Sequence, residues 1–396
     1  MKALLCEEPG RLSLVSRPAP ARGAGEVLVR IRHVGICGTD FHIFAGKHPF
    51  LEYPRVMGHE LSGTVEEAPE GSRLKTGEHV YIVPYLSCGT CHACRKGLTN
   101  ACQSIRVLGV HCDGGMAEYV SVPEANVVPT GGIALEDAAM IEFLAIGAHG
   151  VKRGAINAAD RVLVTGSGPI GMSAIIFAKT RGAQVTVMDT RADRLVFATD
   201  RLGADAAMLA DASAEAEANR LTGGDGFDVV IDATGSAGPI ERGFGFLAHG
   251  ARYVLLSVVR QDITFSDRNS TSVRRRFWPA AMPSRTTLPR LCARSRPARC
   301  RPVLSIRIGD AWKMARRCWW NGPVPRRASS RRSWRFECID ELQARARVPD
   351  GLSPKHRMPE TAAVRQRQDH RRNRIGLRRS CICDLTGARC AMNSRR

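Results

Sequence analysis

Two rhythms of apolar and polar positions divide the chain. From residue 1 to about 150, short runs rich in β-branched and aromatic residues are cut by frequent Gly and Pro: "EVLVRIRHVG", "GTVEEAP", "EHVYIVPY" and "AEYVSVP". Runs of this kind predict a compact, mostly β unit of barrel-like character. From about 155 the rhythm changes. "RVLVTG", "QVTVMD", "DVVIDATG" and "RYVLLSV" are continuous apolar stretches of buried-strand type, separated by helix-length segments such as "GMSAIIFAKTRGA" and "RADRLVFATDRLGA". Strands alternating with helices predict a parallel, doubly wound α/β sheet. No internal repeat is visible.

At 396 residues the chain is long enough for two compact domains, each with its own core. Its formal net charge of +20 would suggest a polyanionic partner if it were evenly spread. It is not: residues 268–396 carry 33 Lys and Arg against 8 Asp and Glu, leaving 25 against 30 in residues 1–267. All five Trp follow residue 267 and all five Tyr precede it. The first 267 residues therefore read as a mildly acidic, cytoplasmic protein. Acids follow closely on the short apolar run of "MKALLCEEPGRLSLV", unlike a signal peptide. No apolar run reaches the ~18 residues of a membrane span. Of 14 cysteines, seven lie on each side of residue 267, and without an export signal the N-terminal seven suit metal better than disulfides.

Two constellations carry metal chemistry. "CGTCHACRKGLTNAC" sets Cys88, Cys91, Cys94 and Cys102 at C-x2-C-x2-C-x7-C spacing, four thiolates from one loop. Four protein ligands close a tetrahedral zinc and leave substrate no position, so this site is structural. "GICGTDFH" and "YPRVMGHE" offer Cys37, His59 and a carboxylate, three ligands that leave a catalytic zinc one open position. Two acids compete for the third place: Glu60, next to His59, and Glu142, an acid inside the apolar run "AAMIEFLAIGAHG". Cys6, Cys112, His33, His79, His111 and His149 have no partners in spacing and read as structural or surface residues.

"VLVTGSGPIG" places Gly166, Gly168 and Gly171 as G-x-G-x-x-G between a strand and a helix. The glycines let the backbone approach a pyrophosphate seated on the helix N-terminus. Asp189, closing "VTVMD", would bind the ribose hydroxyls and repel a 2′-phosphate, which predicts NAD over NADP. Arg191 and Arg194 follow closely enough to soften that preference.

In this order and spacing, "GICGTDFHIFAG", "YPRVMGHE", the four-cysteine loop and "VLVTGSGPIG" resemble the zinc-containing medium-chain alcohol dehydrogenases over about residues 1–267. The resemblance implies a GroES-like catalytic domain with two zinc sites at 1–153 and a Rossmann NAD-binding domain at 154–267, incomplete at its C-terminal end. It implies Cys37, His59 and one of Glu60 or Glu142 as catalytic ligands, and Thr39 and His42 as a proton relay. The segments around "GTDFHIFAGKHPFLEYPRVMGHE" and "VLGVHCDGGMAEYV" are most similar to the polyol, sugar-acid and threonine branch. The expected substrate is a small molecule, a secondary alcohol of a sugar alcohol or of a hexonate such as gulonate or galactonate. L-Threonine or a simple secondary alcohol is the alternative, and a catalytically dead zinc protein a further one. An intact family member would form a homo-oligomer, dimer or tetramer, with no membrane partner.

Residues 268–396 are an Arg-rich tail of different character. A nucleic-acid arm would mix Lys with Arg and show a binding module. Here only Lys313 and Lys355 interrupt 31 arginines, and Cys381 and Cys383 form no zinc spacing. A shifted reading frame accounts for more. When the last base of each codon is joined to the first two of the next, Asp267 to Val273 is compatible with Pro-Glu-Phe-His-Lys-Arg after the Asp, as the resembling family tends to carry. In the same frame Phe277-Trp278 must give Leu, and Trp278-Pro279 and Met282-Pro283 must give Ala. The tail is thus expected to be an out-of-frame product that is largely disordered, and the activity of the chain as written is in question.

Overall fold

The computed structural model describes residues 1–265 and, beyond them, the backbone of two short strands, 276–279 and 305–307. The first 153 residues hold β1 (Lys2–Glu8), β2 (Arg11–Ser16), β3 (Glu26–Gly35), α1 (Gly38–Phe44), β4 (Arg55–Val56), β5 (Glu60–Glu67), β6 (His79–Ile82) and β7 (Tyr85–Leu86). Next come α2 (His92–Arg95), β8 (Arg106–Val107), β9 (Tyr119–Pro123), β10 (Val127–Pro129), α3 (Leu135–Ala138) and α4 (Ile141–Arg153). A six-stranded sheet runs β10-β6-β5-β3-β17, where β17 is Ser305–Arg307, and β9 also pairs with β3. The two partners divide one edge of β3, β9 taking Glu26 to Arg30 and β17 taking His33 to Gly35. Val27, Val29, Ile31, Leu61, Val80, Ile82, Val120 and Val122 fill the core against which these strands curl.

The second half alternates β11 (Arg161–Thr165), α5 (Pro169–Thr180), β12 (Gln184–Asp189), α6 (Ala192–Leu202), β13 (Ala206–Leu209), α7 (Ala214–Thr222), β14 (Phe227–Asp232), α8 (Ala237–Gly243), β15 (Leu247–Leu255) and β16 (Arg276–Pro279). All pair in parallel, in the order β13-β12-β11-β14-β15-β16. Successive residues point to opposite faces. Val162, Val164, Val229, Ile231 and Val254 enter one core, with Ile175 and Ala178 of α5. Leu163, Val230 and Tyr253 enter the other, with Ala218 of α7 and Ile240 of α8. Two buried faces explain why these strands read as unbroken apolar runs. The order reverses at β11, between β12 and β14, where such sheets open a crevice at the strands' C-terminal ends.

Helix α4 is apolar almost all round because it is covered on two sides. Phe143 and Leu144 join Tyr81, Val83 and Tyr85 of the β-rich half, while Ile146 and Val151 join the core on one face of the parallel sheet. At Gly147 a Cβ would lie 1.8 Å from Ser173 Oγ of α5, so the two helices approach closely there.

The parallel sheet runs one strand past residue 267, where sequence reading ended it: β16 extends β15 by pairing Arg252 to Leu255 with residues 276–279. Apart from β16 and β17, the segment read as out of frame lies outside the described residues. Among the described residues no helix is long and apolar enough to cross a membrane.

Candidate active site

The antiparallel register of β3 and β5 sets Gly35 opposite Glu60, so the residues just beyond β3 meet those just before β5. Cys37 is the N-cap of α1, and its backbone N–H donates to Asp40 Oδ2 at 2.9 Å. The thiol, the His59 imidazole and the Glu60 carboxylate come within 4.8 Å of one another. Gly35 makes this possible, since a Cβ there would lie 2.0 Å from Glu60 Oε2. Between the two acids offered by the sequence, Glu60 joins the group. Glu142, also buried, accepts a hydrogen bond from the Tyr85 hydroxyl instead.

The electrostatics of this group call for a cation. Burial, then Asp40 and Glu142, push the Cys37 thiol up to about 12. Burial, then Cys37 and Glu142, raise the Glu60 carboxyl well above the usual carboxylate range. Buried acids crowded together ionise only against a compensating charge. His59 Nδ1 is buried without a hydrogen-bond partner. A thiol, an imidazole and a carboxyl group of this kind fit a divalent zinc with one position left open. Thr39 Oγ1 lies 3.8 Å from Cys37 Sγ, and His42 sits exposed in the last turn of α1.

The four cysteines of the β7–β8 connection also converge, their sulfurs all within 4.8 Å. Cys88 Sγ is 3.5 Å from Cys102 Sγ and 4.0 Å from Cys94 Sγ. Disulfide sulfurs would be at ~2.05 Å. Four sulfurs at ~2.3 Å from a tetrahedral zinc stand about 3.8 Å apart, which matches. The loop is wound so that backbone N–H groups face the sulfurs. Cys91 N donates to Cys88 Sγ at 3.3 Å and Cys88 N to Cys102 Sγ at 3.3 Å. N–H donors on its sulfur, from Thr90 and Cys91 first, bring the Cys88 thiol down to about 6, toward the thiolate that zinc binds.

At the C-terminal end of β11 the chain turns through Gly166, whose φ of 86° is left-handed and open to glycine at little cost. Gly168 caps α5, and a Cβ on Gly171 would lie 1.7 Å from Gly166 O. This close turn aims the free N–H groups of α5 outward. Ser167 Oγ is buried there without a partner. Asp189, 6% exposed at the end of β12, accepts from Ser167 N at 2.7 Å and Arg191 N at 2.9 Å. Arg194 Nη1 is 3.6 Å from Asp189 Oδ2. The glycine turn, the helix N-terminus and the fixed acid together fit a dinucleotide.

Three contributors escaped sequence reading. Gly35, which makes room for Glu60, stands two residues before Cys37 and had a local signal. Asp40 had one too, as the acid three residues into a helix that Cys37 caps. Tyr85 had none, since its partner Glu142 lies 57 residues away.

Comparison with known proteins adds to this geometry. Residues 23–132 match the model of the alcohol dehydrogenase GroES-like domain, and residues 169–294 that of the zinc-binding dehydrogenases. L-Galactonate-5-dehydrogenase of Escherichia coli K12 is 42% identical over 271 residues, 67% of this chain and 79% of that protein. Among solved structures, an alcohol dehydrogenase of Escherichia coli CFT073 complexed with NADH superposes with a TM-score of 0.69 at 33% identity, over 74% of this chain and 86% of that one. A zinc-binding dehydrogenase of Sinorhizobium meliloti 1021 bound to NADP gives 0.68 at 30% identity, over 74% and 88%.

Proposed function

That the chain belongs to the zinc-binding alcohol dehydrogenase family is the premise from which we propose its reaction: oxidation of a secondary hydroxyl of a sugar acid or polyol, of galactonate type, with NAD as hydride acceptor. The observation that carries this reading is the convergence of Cys37, His59 and Glu60, one ligand short of a closed zinc site. Cys37, His59 and Glu60 would hold the catalytic zinc, and Cys88, Cys91, Cys94 and Cys102 the structural one. When bound at the first group, zinc supplies the positive charge that favours an alcohol oxygen losing its proton.

The chain's own residues do the rest. Thr39, beside Cys37, takes the hydroxyl proton and passes its own to His42, whose exposed imidazole delivers it to water. Gly166, Gly168 and Gly171 admit the pyrophosphate to the start of α5. Asp189, with both oxygens fixed by backbone donors, would meet the adenosine ribose of a bound dinucleotide, and its negative charge would oppose a 2′-phosphate. Arg194 tempers that charge without cancelling it, which favours NAD. The acidic balance of residues 1–267 and their unpaired cysteines suit a cytoplasmic enzyme, and a homo-oligomer is the expected assembly.

The test is a panel of L-galactonate, hexitols and L-threonine, each with NAD and NADP, on the zinc-loaded protein. Fastest turnover is expected with L-galactonate and NAD. Turnover of L-threonine alone would replace the substrate assignment, and clearly faster NADP reduction would replace the cofactor assignment.

A further inference from the structure

Between α1 and β4 the chain passes through His48, Pro49 and Phe50, and Phe50 is 61% exposed. Its ring meets two imidazoles. His48 meets it edge-on at 6.1 Å, and His111, from the β8–β9 connection, stacks on it at 6.3 Å and 22°. The loop after β15 reaches the same place from the parallel-sheet half, where Arg260 Nη2 donates to the His48 carbonyl at 2.6 Å. These four residues form one rim, contributed by both halves of the chain.

The rim offers donors and no acid. His48 Nδ1 accepts from Phe50 N at 3.3 Å, and His111 Nδ1 accepts from Val107 N at 3.1 Å. An imidazole whose Nδ1 is occupied as an acceptor carries its proton on Nε2, so each ring has an Nε2–H to give. Arg260 spends one of its five N–H donors on the His48 carbonyl. Behind His111 lies Arg55, whose Nε is buried without a partner. Its acidic neighbour Asp113 stands 3.8 Å off and is engaged by Arg17 at 2.8 Å and by Val56 N at 3.0 Å.

The charges around the rim agree with this inventory. Burial, then His111, His42, His59 and Arg260, lower His48 to about 4. Burial and Arg55 lower His111. Neutral imidazoles that donate through Nε2, with Arg260 beside them, leave an anion as the fitting complement. Lys47 N donates to the His42 carbonyl at 2.8 Å, so His48 follows directly on the last turn of the helix that Cys37 caps, and this places the rim at the far end of α1 from the metal group.

We propose that His48, His111 and Arg260 line the site that receives the carboxylate of a sugar-acid substrate, with the Phe50 ring packed against the imidazoles. This rests on the dehydrogenase reading above and deepens it. The three residues select a hexonate over the matching hexitol, whereas Cys37, His59 and Glu60 act at the hydroxyl that is oxidised. A donor-only set suits a carboxylate, which only accepts hydrogen bonds, and charge-assisted bonds to it are the stronger kind.

The test compares KM and kcat for L-galactonate and galactitol, which differ in carrying a carboxylate or a hydroxymethyl group. The full chain, Arg260→Gln, Arg260→Lys and His111→Phe are measured; the last keeps a ring against Phe50 and removes the donor. Arg260→Gln and His111→Phe should each raise KM for L-galactonate at least tenfold more than KM for galactitol, with kcat moving less than about threefold; tenfold corresponds to about 1.4 kcal/mol. Arg260→Lys keeps the charge and should fall between. If KM rises equally for both substrates, Arg260 and His111 only support the loop and the proposal is wrong. If neither compound is oxidised, the dehydrogenase reading fails separately, and calorimetric titration with L-galactonate decides the rim. Binding weakened tenfold by Arg260→Gln upholds it, and no binding to the unaltered chain overturns it.

Discussion

His149 lies on α4 at 6% exposure, and its Nδ1 has no hydrogen-bond partner. Burial, then Arg153 and Lys152, lower its pKa from 6.5 to about 4. The unfolded chain therefore binds the extra proton more readily than the folded one. The stability held above pH 6.5 is lost as pH falls through that value toward 4. Melting curves at pH 7.5, 6 and 5 should show this decline in the parent and a shallower one in His149→Gln. A difference of 1 kcal/mol is worth roughly 2–4 °C, well within resolution. The metal group makes a second demand at this scale. Replacing Cys37 by Ser or His59 by Ala should lower bound zinc from two per chain to one, because the cysteine loop keeps its own, and should abolish turnover. Elemental analysis after dialysis checks the count. The sequence could name Cys37 and His59 because their signals are local. It could not choose between Glu60 and Glu142, since that choice depends on the pairing of β3 with β5 and on Tyr85, both distant in the chain.

The turn between β11 and α5 is the element with least room. A methyl group on Gly171 would collide with the Gly166 carbonyl at 1.7 Å, and backbone cannot yield as a long side chain can. Gly171→Ala should push the helix N-terminus away from the strand and raise KM for NAD at least tenfold, or prevent folding. Unchanged KM in a folded variant, measured by initial rates and circular dichroism, would contradict the role given to this turn. The parallel strands were legible because both their faces are buried, which leaves a continuous apolar signature. The four-cysteine loop was legible through spacing alone. Two elements were not. β17 takes its place through pairing with β3, across more than 250 residues, and β16 follows the point at which composition changes. Partners so far apart leave no local trace.

Over the whole molecule the net charge of +20 misleads, because residues 1–267 and 268–396 are opposite in sign. Composition changes at this break as a shifted reading frame would make it change. Peptide mass spectrometry of the protein from its natural source should therefore find peptides of the shifted frame, starting Pro-Glu-Phe-His-Lys-Arg after Asp267. Tryptic peptides of 268–396 as written would overturn the frame reading. Helix α4 ties the two halves together unequally. Toward α5 it leaves no space for a methyl at Gly147, while toward the β-rich half it rests on the bulky rings of Tyr81 and Tyr85. On the aromatic side the Tyr85–Glu142 hydrogen bond ties the helix to the β-rich half. Parting the two there would strand a carboxyl and a hydroxyl at once, both buried and each the other's partner, so the seam holds by polar need as well as by shape.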